Sequence, residues 1–131
     1  MMTDDRCPCQ SGDTFGACCG RFLNGQGTAF PPTAEALMRS RFTAFATGDA
    51  GYLLHTWHPG IRPGELELDP EQLWYRLDIL ETRQGGPLDL SGVVRFRAHY
   101  RHQGVRESFT ETSSFVRIGK QWLYVAALDI S

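Results

Sequence analysis

Residues 7–20 of this chain read Cys7-Pro8-Cys9-Gln10-Ser11-Gly12-Asp13-Thr14-Phe15-Gly16-Ala17-Cys18-Cys19-Gly20. They hold all four cysteines of a 131-residue sequence, as a Cys-x-Cys pair and an adjacent pair separated by eight residues. Two such pairs can close four sulfur atoms round one ion, and Zn²⁺ is the usual ion of an all-thiolate structural site. Iron and Cu(I) accept the same ligands. We predict a structural zinc site whose ligands are Cys7, Cys9, Cys18 and Cys19.

Disulfide bonds are the alternative use of these cysteines. Pairing Cys7 with Cys18 and Cys9 with Cys19 is sterically conceivable, whereas two adjacent cysteines cannot easily bond to each other. The first six residues are polar and acidic and lack the apolar region of a secretory signal. In a cytosolic chain, clustered cysteines are more often metal ligands than disulfide partners. We therefore expect a cytoplasmic protein with metal-bound thiolates.

The cysteine pattern Cys-Pro-Cys-x-Ser-Gly-x-x-Phe-x-x-Cys-Cys resembles the SEC-C zinc motif, best known at the C-terminal tail of the protein-export ATPase SecA. Together with Leu37-Met38-Arg39-Ser40-Arg41-Phe42 and Thr56-Trp57-His58-Pro59, nearly the whole chain resembles the bacterial YchJ (UPF0225) family. The resemblance implies an NTF2-like domain after the motif, with helices packed on a curved antiparallel sheet as a cone. It also implies that the motif docks a protein or a ribosome-associated partner.

One residue of the cysteine motif departs from the family pattern. Gln10 stands where the family usually has glycine, and a side chain there asks for an ordinary backbone conformation. We therefore expect the turn after Cys9 to differ from that of relatives.

Composition is typical of one compact domain with a small appendage, since 41% of the residues are hydrophobic and 11% are aromatic. The formal net charge of −2 gives no global reason to expect nucleic acid or acidic lipid as a partner. No apolar run reaches membrane-spanning length.

Glycine and proline between residues 25 and 32 indicate a linker. We predict a zinc motif at 1–24, the linker at 25–32 and the NTF2-like domain at 33–131.

Helix signals follow the linker. Thr33 is a good N-cap and Gly48 ends the apolar period, which predicts a helix over 34–47. Asp49 predicts a second helix over 50–57, and Asp69-Pro70-Glu71 predicts a short one through residue 75.

From residue 76 apolar residues recur at every second position, which predicts β-strands. Three of these strands are predicted at about 92–102, 105–117 and 121–129. Helices followed by an antiparallel meander make an α+β fold with the helices on one face of the sheet.

A charged pair is predicted inside the domain. Arg41 falls in the middle of the apolar arc of the first helix, where a buried guanidinium needs a carboxylate or several acceptors unless it reaches out to solvent. Glu111 alternates with Phe109, Ser113 and Phe115 on the inner face of its strand. We expect Arg41 and Glu111 to meet, as a structural tie or as an electrophile and general base. The candidate pocket residues are Arg39, Arg41, Trp57, His58, Tyr100 and Glu111.

The outer face of the same sheet is predicted to be basic. Arg95, Arg97, His99 and Arg101 alternate along one strand, and Arg106 lies across the hairpin. Such a stripe is either a solvated face or a docking surface for RNA or an acidic protein. No aromatic residue interleaves with these arginines along the strand, so a stacking platform for single strands is not predicted.

Three functional classes follow from these features. An interaction or adaptor protein that docks a partner through the zinc motif is favoured over an enzyme, because a site closed by four sulfurs has no open position for substrate. The first alternative is an NTF2-like enzyme of hydrolase, dehydratase or isomerase type that acts on a small molecule in the cone. The second is an RNA-associated protein that uses the basic face.

Overall fold

The computed structural model of this chain describes residues 3–23 and 29–131. A short 3₁₀ helix (Cys19–Arg21) and two α-helices, α1 (Ala34–Thr47) and α2 (Ala50–His55), precede four strands, β1 (Gln72–Gln84), β2 (Ser91–His102), β3 (Val105–Ile118) and β4 (Gln121–Ile130). The strands form one antiparallel sheet in the order β1-β2-β3-β4. The predicted α+β class is confirmed. Residues 25–28 of the predicted linker lie outside the described residues.

Helix α1 begins and ends where its capping residues predict. Thr33 Oγ1 accepts a hydrogen bond from the Ala36 N–H at 3.0 Å, and Gly48 adopts a left-handed conformation with φ of 77°. A side chain would be strained there, so glycine is the residue that ends the helix without cost. Asp49 then caps α2 by accepting from the Tyr52 N–H at 3.0 Å.

Two of the predictions about helices are wrong. Helix α2 ends at His55 rather than residue 57, because Trp57 leaves the helix to form a parallel bridge with Tyr124 of β4. The helix predicted from Pro70 to residue 75 is absent, and β1 begins at Gln72. Asp69 instead closes a turn, accepting the Glu71 N–H on its side chain at 2.9 Å.

The connection between β2 and β3 has the backbone conformation that a tight hairpin requires. Gln103 and Gly104 both have positive φ, 52° and 81°, and together form the two-residue connection between β2 and β3. A two-residue hairpin turn with positive φ at both positions matches the natural twist of the strands. The predicted strand bounds at 92–102, 105–117 and 121–129 are therefore confirmed to within one residue.

Helix α1 lies between the sheet and the N-terminal residues 3–23, which we call the clip. Its sheet side contributes Ala34, Leu37, Met38 and Phe42 to a core that also contains Phe96, Phe115 and Trp122. Its other side joins the buried cysteines and Leu53 in a second core. Ser40 and Thr43, which would face solvent on an isolated amphipathic helix, are 0% exposed because the clip and α2 cover them.

Candidate functional site

The four cysteines of the clip form a compact cluster. Their sulfur atoms all lie within 4.8 Å of one another, and all four side chains are buried. The Sγ–Sγ distance is 3.6 Å from Cys9 to Cys18 and 3.9 Å from Cys18 to Cys19. Sulfurs at the corners of a tetrahedron round one zinc ion are about 3.8 Å apart, given a Zn–S bond near 2.3 Å. No disulfide joins the four cysteines, so the set of donors fits a single metal ion.

Two hydroxyl groups lie beside this cluster, and the thiols shift the pKa values of one another in opposite directions. Ser11 Oγ lies 3.2 Å from Cys18 Sγ, and Thr43 Oγ1 of α1 lies 3.7 Å from Cys7 Sγ. Hydrogen bonds from Cys19 and Cys9 lower the pKa of Cys7. The hydrogen bond between Cys19 and Cys7 raises the pKa of Cys19. Four thiols this close cannot all ionise unless a cation balances them, and a divalent ion supplies that balance.

Gln10 attaches the clip to the edge of the sheet. Its φ of 64° lies in the left-handed region, so the expectation of an ordinary backbone conformation was wrong. Its side-chain Nε2 donates to the Tyr75 carbonyl oxygen at 2.6 Å, and its Oε1 accepts from the Leu77 N–H at 3.4 Å. The side chain thus occupies backbone groups of edge strand β1. These two hydrogen bonds offset the conformational strain that glycine would avoid.

Replacement of Gln10 should separate the cost of the left-handed backbone strain from the gain of the two side-chain hydrogen bonds. Gln10→Ala keeps the left-handed strain and loses both hydrogen bonds, so we expect the free energy of unfolding to fall by about 2 kcal/mol. Gln10→Gly loses the same bonds but relieves the strain, and it should be more stable than Gln10→Ala by about 1 kcal/mol. Urea unfolding measures both values. Equal stabilities for the two variants would contradict the assigned backbone conformation.

Arg39 provides the second polar link between the clip and α1. Its Nη1 donates to the Cys9 carbonyl oxygen at 2.8 Å, and its Nε pairs with Glu35 at 3.0 Å. The structure therefore places Arg39 beside the cysteine cluster rather than inside the cone. Its role is to hold the loop that carries Cys9.

Arg41 is buried, with 3% of its surface exposed, but its hydrogen bonds do not go to Glu111. Its Nη1 donates to the Leu53 carbonyl oxygen and to Thr56 Oγ1, each at 2.8 Å. Burial lowers the pKa of Arg41 to about 10, since desolvation penalises its charged form. Among the ion pairs of the described residues, none joins Arg41 to Glu111. The predicted direct pair is therefore replaced by neutral acceptors at the end of α2.

Tyr124 of β4 is the residue that connects Arg41 with Glu111, and the sequence analysis missed it. The Arg41 guanidinium carbon lies 4.7 Å from the centroid of the Tyr124 ring, and Tyr124 Oη donates to Glu111 Oε2 at 3.3 Å. Burial and the nearby Glu111 carboxylate raise the pKa of Tyr124 to about 12. Glu111 also accepts a hydrogen bond from Ser113. Alternation along β4 places Tyr124 two residues after the buried Trp122, which was the available signal.

The other predicted pocket residues separate in space. Trp57 does contact Arg41, with its ring centroid 5.4 Å from the guanidinium carbon. Tyr100 instead packs against Trp74, with ring centroids 4.9 Å apart, towards the other end of β2. His58 Nδ1 accepts from the Gly60 N–H at 3.0 Å and closes a turn. The structure thus brings together Arg41, Trp57, Tyr124 and Glu111, and it does not bring Arg39, His58 or Tyr100 to them.

A groove of about 1140 Å³ lies between the clip and the domain. The clip contributes Phe15 and Phe22, helix α2 contributes Tyr52 and His55, and β4 contributes Trp122. The rim includes Phe30, which is 45% exposed. Both parts of the chain are therefore needed to form this groove.

Comparison with known proteins agrees with this architecture. Residues 5–21 match the family model of the SEC-C motif, and residues 33–127 match the model described as YchJ, middle NTF2-like domain. A UPF0225 protein of Corynebacterium glutamicum is 54% identical over 121 residues, which cover 91% of this chain and 93% of that protein. A UPF0225 protein of Streptomyces coelicolor is 50% identical over 123 residues, which cover 94% of each chain.

Two solved structures share the fold. The solution structure of a SEC-C motif containing protein from Rhodopseudomonas palustris superimposes with a TM-score of 0.81 at 30% identity, covering 95% of this chain and 98% of that one. The crystal structure of a SEC-C motif containing protein from Psychrobacter arcticus gives a TM-score of 0.79 at 22% identity, covering 100% of this chain and 86% of that one. No helix in the described part of this chain combines the length and the apolar content that crossing a membrane requires. By its cysteine cluster, its helix-backed sheet and these matches, the chain belongs to the YchJ (UPF0225) family, in which a SEC-C motif precedes an NTF2-like domain.

Proposed function

We propose that this chain is a zinc-binding interaction protein of the cytoplasm, which docks an apolar segment of a partner protein in the groove between the clip and α2. The observation that carries the proposal is the composite wall of this groove, with Phe15 and Phe22 on one side and Tyr52 on the other. The cysteine cluster is the structural support of the first wall. In this proposal the metal ion orders the clip, and the ordered clip forms one wall of the groove that binds the partner.

Zinc is the ion that suits the cluster best. An all-thiolate, roughly tetrahedral set of donors is the usual environment of structural zinc. Each of the four sulfurs is buried, which leaves no open coordination position for a substrate. Free thiols in close proximity also favour a reducing compartment, since an oxidising one would convert them to disulfides.

The dimensions of the groove favour a protein segment over a small molecule. Pockets for small ligands typically enclose about 300–1,000 Å³ and surround most of the ligand. This groove is only slightly larger than that range, but its rim is open at Thr47, Gly51 and His55, so it would surround little of a small ligand. Aromatic side chains in a partly open groove are the usual anchors of protein recognition. Among the described lining residues, only Asp49 and His55 can carry a charge near neutral pH, so an apolar segment matches the groove better than a charged one.

A steric block at Gly51 tests this proposal. Among the described residues, a Cβ atom added at Gly51 would meet only Asp49 Oδ1, at 3.7 Å, so Gly51→Arg should fold while its side chain fills the groove. Gly64→Arg is the matched control, because no atom of residues 3–23 or 29–131 lies within 4 Å of a Cβ added there and Gly64 is not among the residues that line the groove. Wild type and both variants would be presented to a phage library of random peptides.

We expect wild type and Gly64→Arg to select peptides with aromatic and aliphatic residues, and Gly51→Arg to lose them. Calorimetry with one selected synthetic peptide should repeat this order of affinities. A library that yields no binder, or peptides that bind equally well to Gly51→Arg, would overturn the proposal. Metal content measured on the same wild-type preparation tests zinc separately.

A further inference from the structure

Four exposed arginines share the face of the sheet that is turned away from α1. Alternation along β2 places three of them on the face opposite the buried Val94, Phe96 and Ala98. The register sets Arg101 of β2 directly across from Arg106 of β3. We call this surface the basic face; its arginines are Arg95, Arg97, Arg101 and Arg106.

None of these four arginines takes part in an ion pair among the described residues. Asp78 and Glu81 lie opposite Arg97 and Arg95 in the register, but their carboxylates are occupied by other partners. Asp78 pairs with Arg76 and His99 at 3.0 and 2.9 Å, and Glu81 pairs with Arg83 at 3.5 Å. No ion pair of the described residues includes an arginine of the basic face. A local excess of positive charge on a chain whose net charge is −2 indicates an anionic partner.

The cross-strand pair Arg101 and Arg106 strengthens this indication. Like charges directly opposite each other destabilise an antiparallel sheet. Alternate residues on one strand face are also about 6.6 Å apart. The basic face thus presents a row of guanidinium groups, and their planar forks suit phosphate oxygens.

An aromatic ring lies beside these arginines, contrary to the expectation from the sequence. A bulge between Trp74 and Arg76 of β1 places Tyr75 on the outer face. The Arg101 guanidinium carbon lies 5.3 Å from the Tyr75 ring centroid, and the His99 ring lies 6.0 Å from it. Tyr75 is 38% exposed, so part of its ring is free to stack on a base.

We propose that the basic face binds single-stranded nucleic acid, with its arginines on successive phosphates and Tyr75 stacked on a base. A row of arginines alone would suit any polyanion, and the exposed ring beside it is what selects a single strand over an acidic protein or a lipid surface. The basic face shares no residue with the groove, so this inference goes beyond the proposed docking function and is independent of it.

Fluorescence anisotropy with a labelled oligouridylate, measured over a range of salt concentrations, tests the assignment. With four phosphate contacts, log K should fall against log salt with a slope of about −3. The double variant Arg101→Gln/Arg106→Gln should reduce that slope by about 1.4. Tyr75→Ala should weaken binding about tenfold at unchanged slope, and Tyr75→Phe should restore it. Arg62→Gln, which changes an exposed arginine elsewhere, is the control and should bind as wild type does.

Three outcomes would overturn the inference. One is binding of oligouridylate that does not respond to salt, and another is an equal loss in Arg62→Gln and in the double variant. The third is retention of polyglutamate or of phosphatidylserine vesicles with no retention of oligouridylate. An oligothymidylate arm distinguishes RNA from DNA as the source of the strand. Gly51→Arg should bind oligouridylate normally, which keeps this test separate from that of the groove.

Discussion

Removal of the zinc ion that we propose for the cysteine cluster is expected to unfold the clip and to lower the melting temperature of the whole chain. A structural zinc ion contributes about 10–16 kcal/mol to the folding of a small thiolate site. This is comparable to the entire stability of an ordinary domain. The clip also covers Ala44 and Leu53 of the helices, so its loss exposes apolar surface of the domain as well. Hydrogen exchange before and after treatment with a strong chelator would detect the unfolding of the clip, and thermal unfolding of the same samples would measure the change in melting temperature.

Substitution at Cys9 should have the same result as chelation. Cys9 is 0% exposed, and Cys9→Ser removes one of the four predicted ligands. Ser11→Ala is the matched control in the same loop, because it removes a hydroxyl group beside Cys18 without removing a ligand. We expect the control to lose less than about 1 kcal/mol. Zinc added back should restore the chelated wild type but not Cys9→Ser. Unchanged melting after chelation would contradict a structural metal.

Arg41→Ala is expected to lower the free energy of unfolding by about 3 kcal/mol. The substitution leaves the Leu53 carbonyl oxygen and Thr56 Oγ1 without their donor, and it opens a cavity beneath Trp57 and Tyr124. Arg41→Met fills most of that volume and buries no charge, so its loss should be nearer 1 kcal/mol. Urea unfolding at neutral pH measures both values.

Glu111 is expected to contribute less than Arg41 to the free energy of unfolding. Glu111→Gln retains an acceptor for Ser113 or Tyr124 and should lose less than about 1 kcal/mol. Because Tyr124 contacts both residues and no ion pair joins them, the coupling energy from a double-mutant cycle should stay below about 0.5 kcal/mol. A coupling of several kcal/mol would instead support the direct pair predicted from the sequence.

Features that depend on neighbours in the chain were predictable. Thr33, Gly48 and Asp49 set the helix ends through hydrogen bonds and φ values within a few residues. Alternation set the inner and outer faces of β2 in the same local way. The four cysteines lie within thirteen consecutive residues, so their clustering also follows from short-range geometry.

Features that depend on distant partners were not predictable. The helix predicted at residues 70–75 had a good cap and a proline, but pairing with β2 made most of this segment a strand. The bulge that presents Tyr75 arises from the same pairing. Tyr124 lies 83 residues after Arg41, and no local pattern connects them.

The sequence by itself determined the cysteine cluster, the positions of the main helix and of three strands, and the basic character of one sheet face. Each follows from residue type and from spacings of a few residues. Only the tertiary structure decided that the clip packs on the side of α1 carrying Ser40 and Thr43, and that Gln10 and Arg39 attach it there. The physical reason is that these contacts join residues 30 or more positions apart. Their partners are chosen by how the elements pack, and chain-local propensities do not specify that packing.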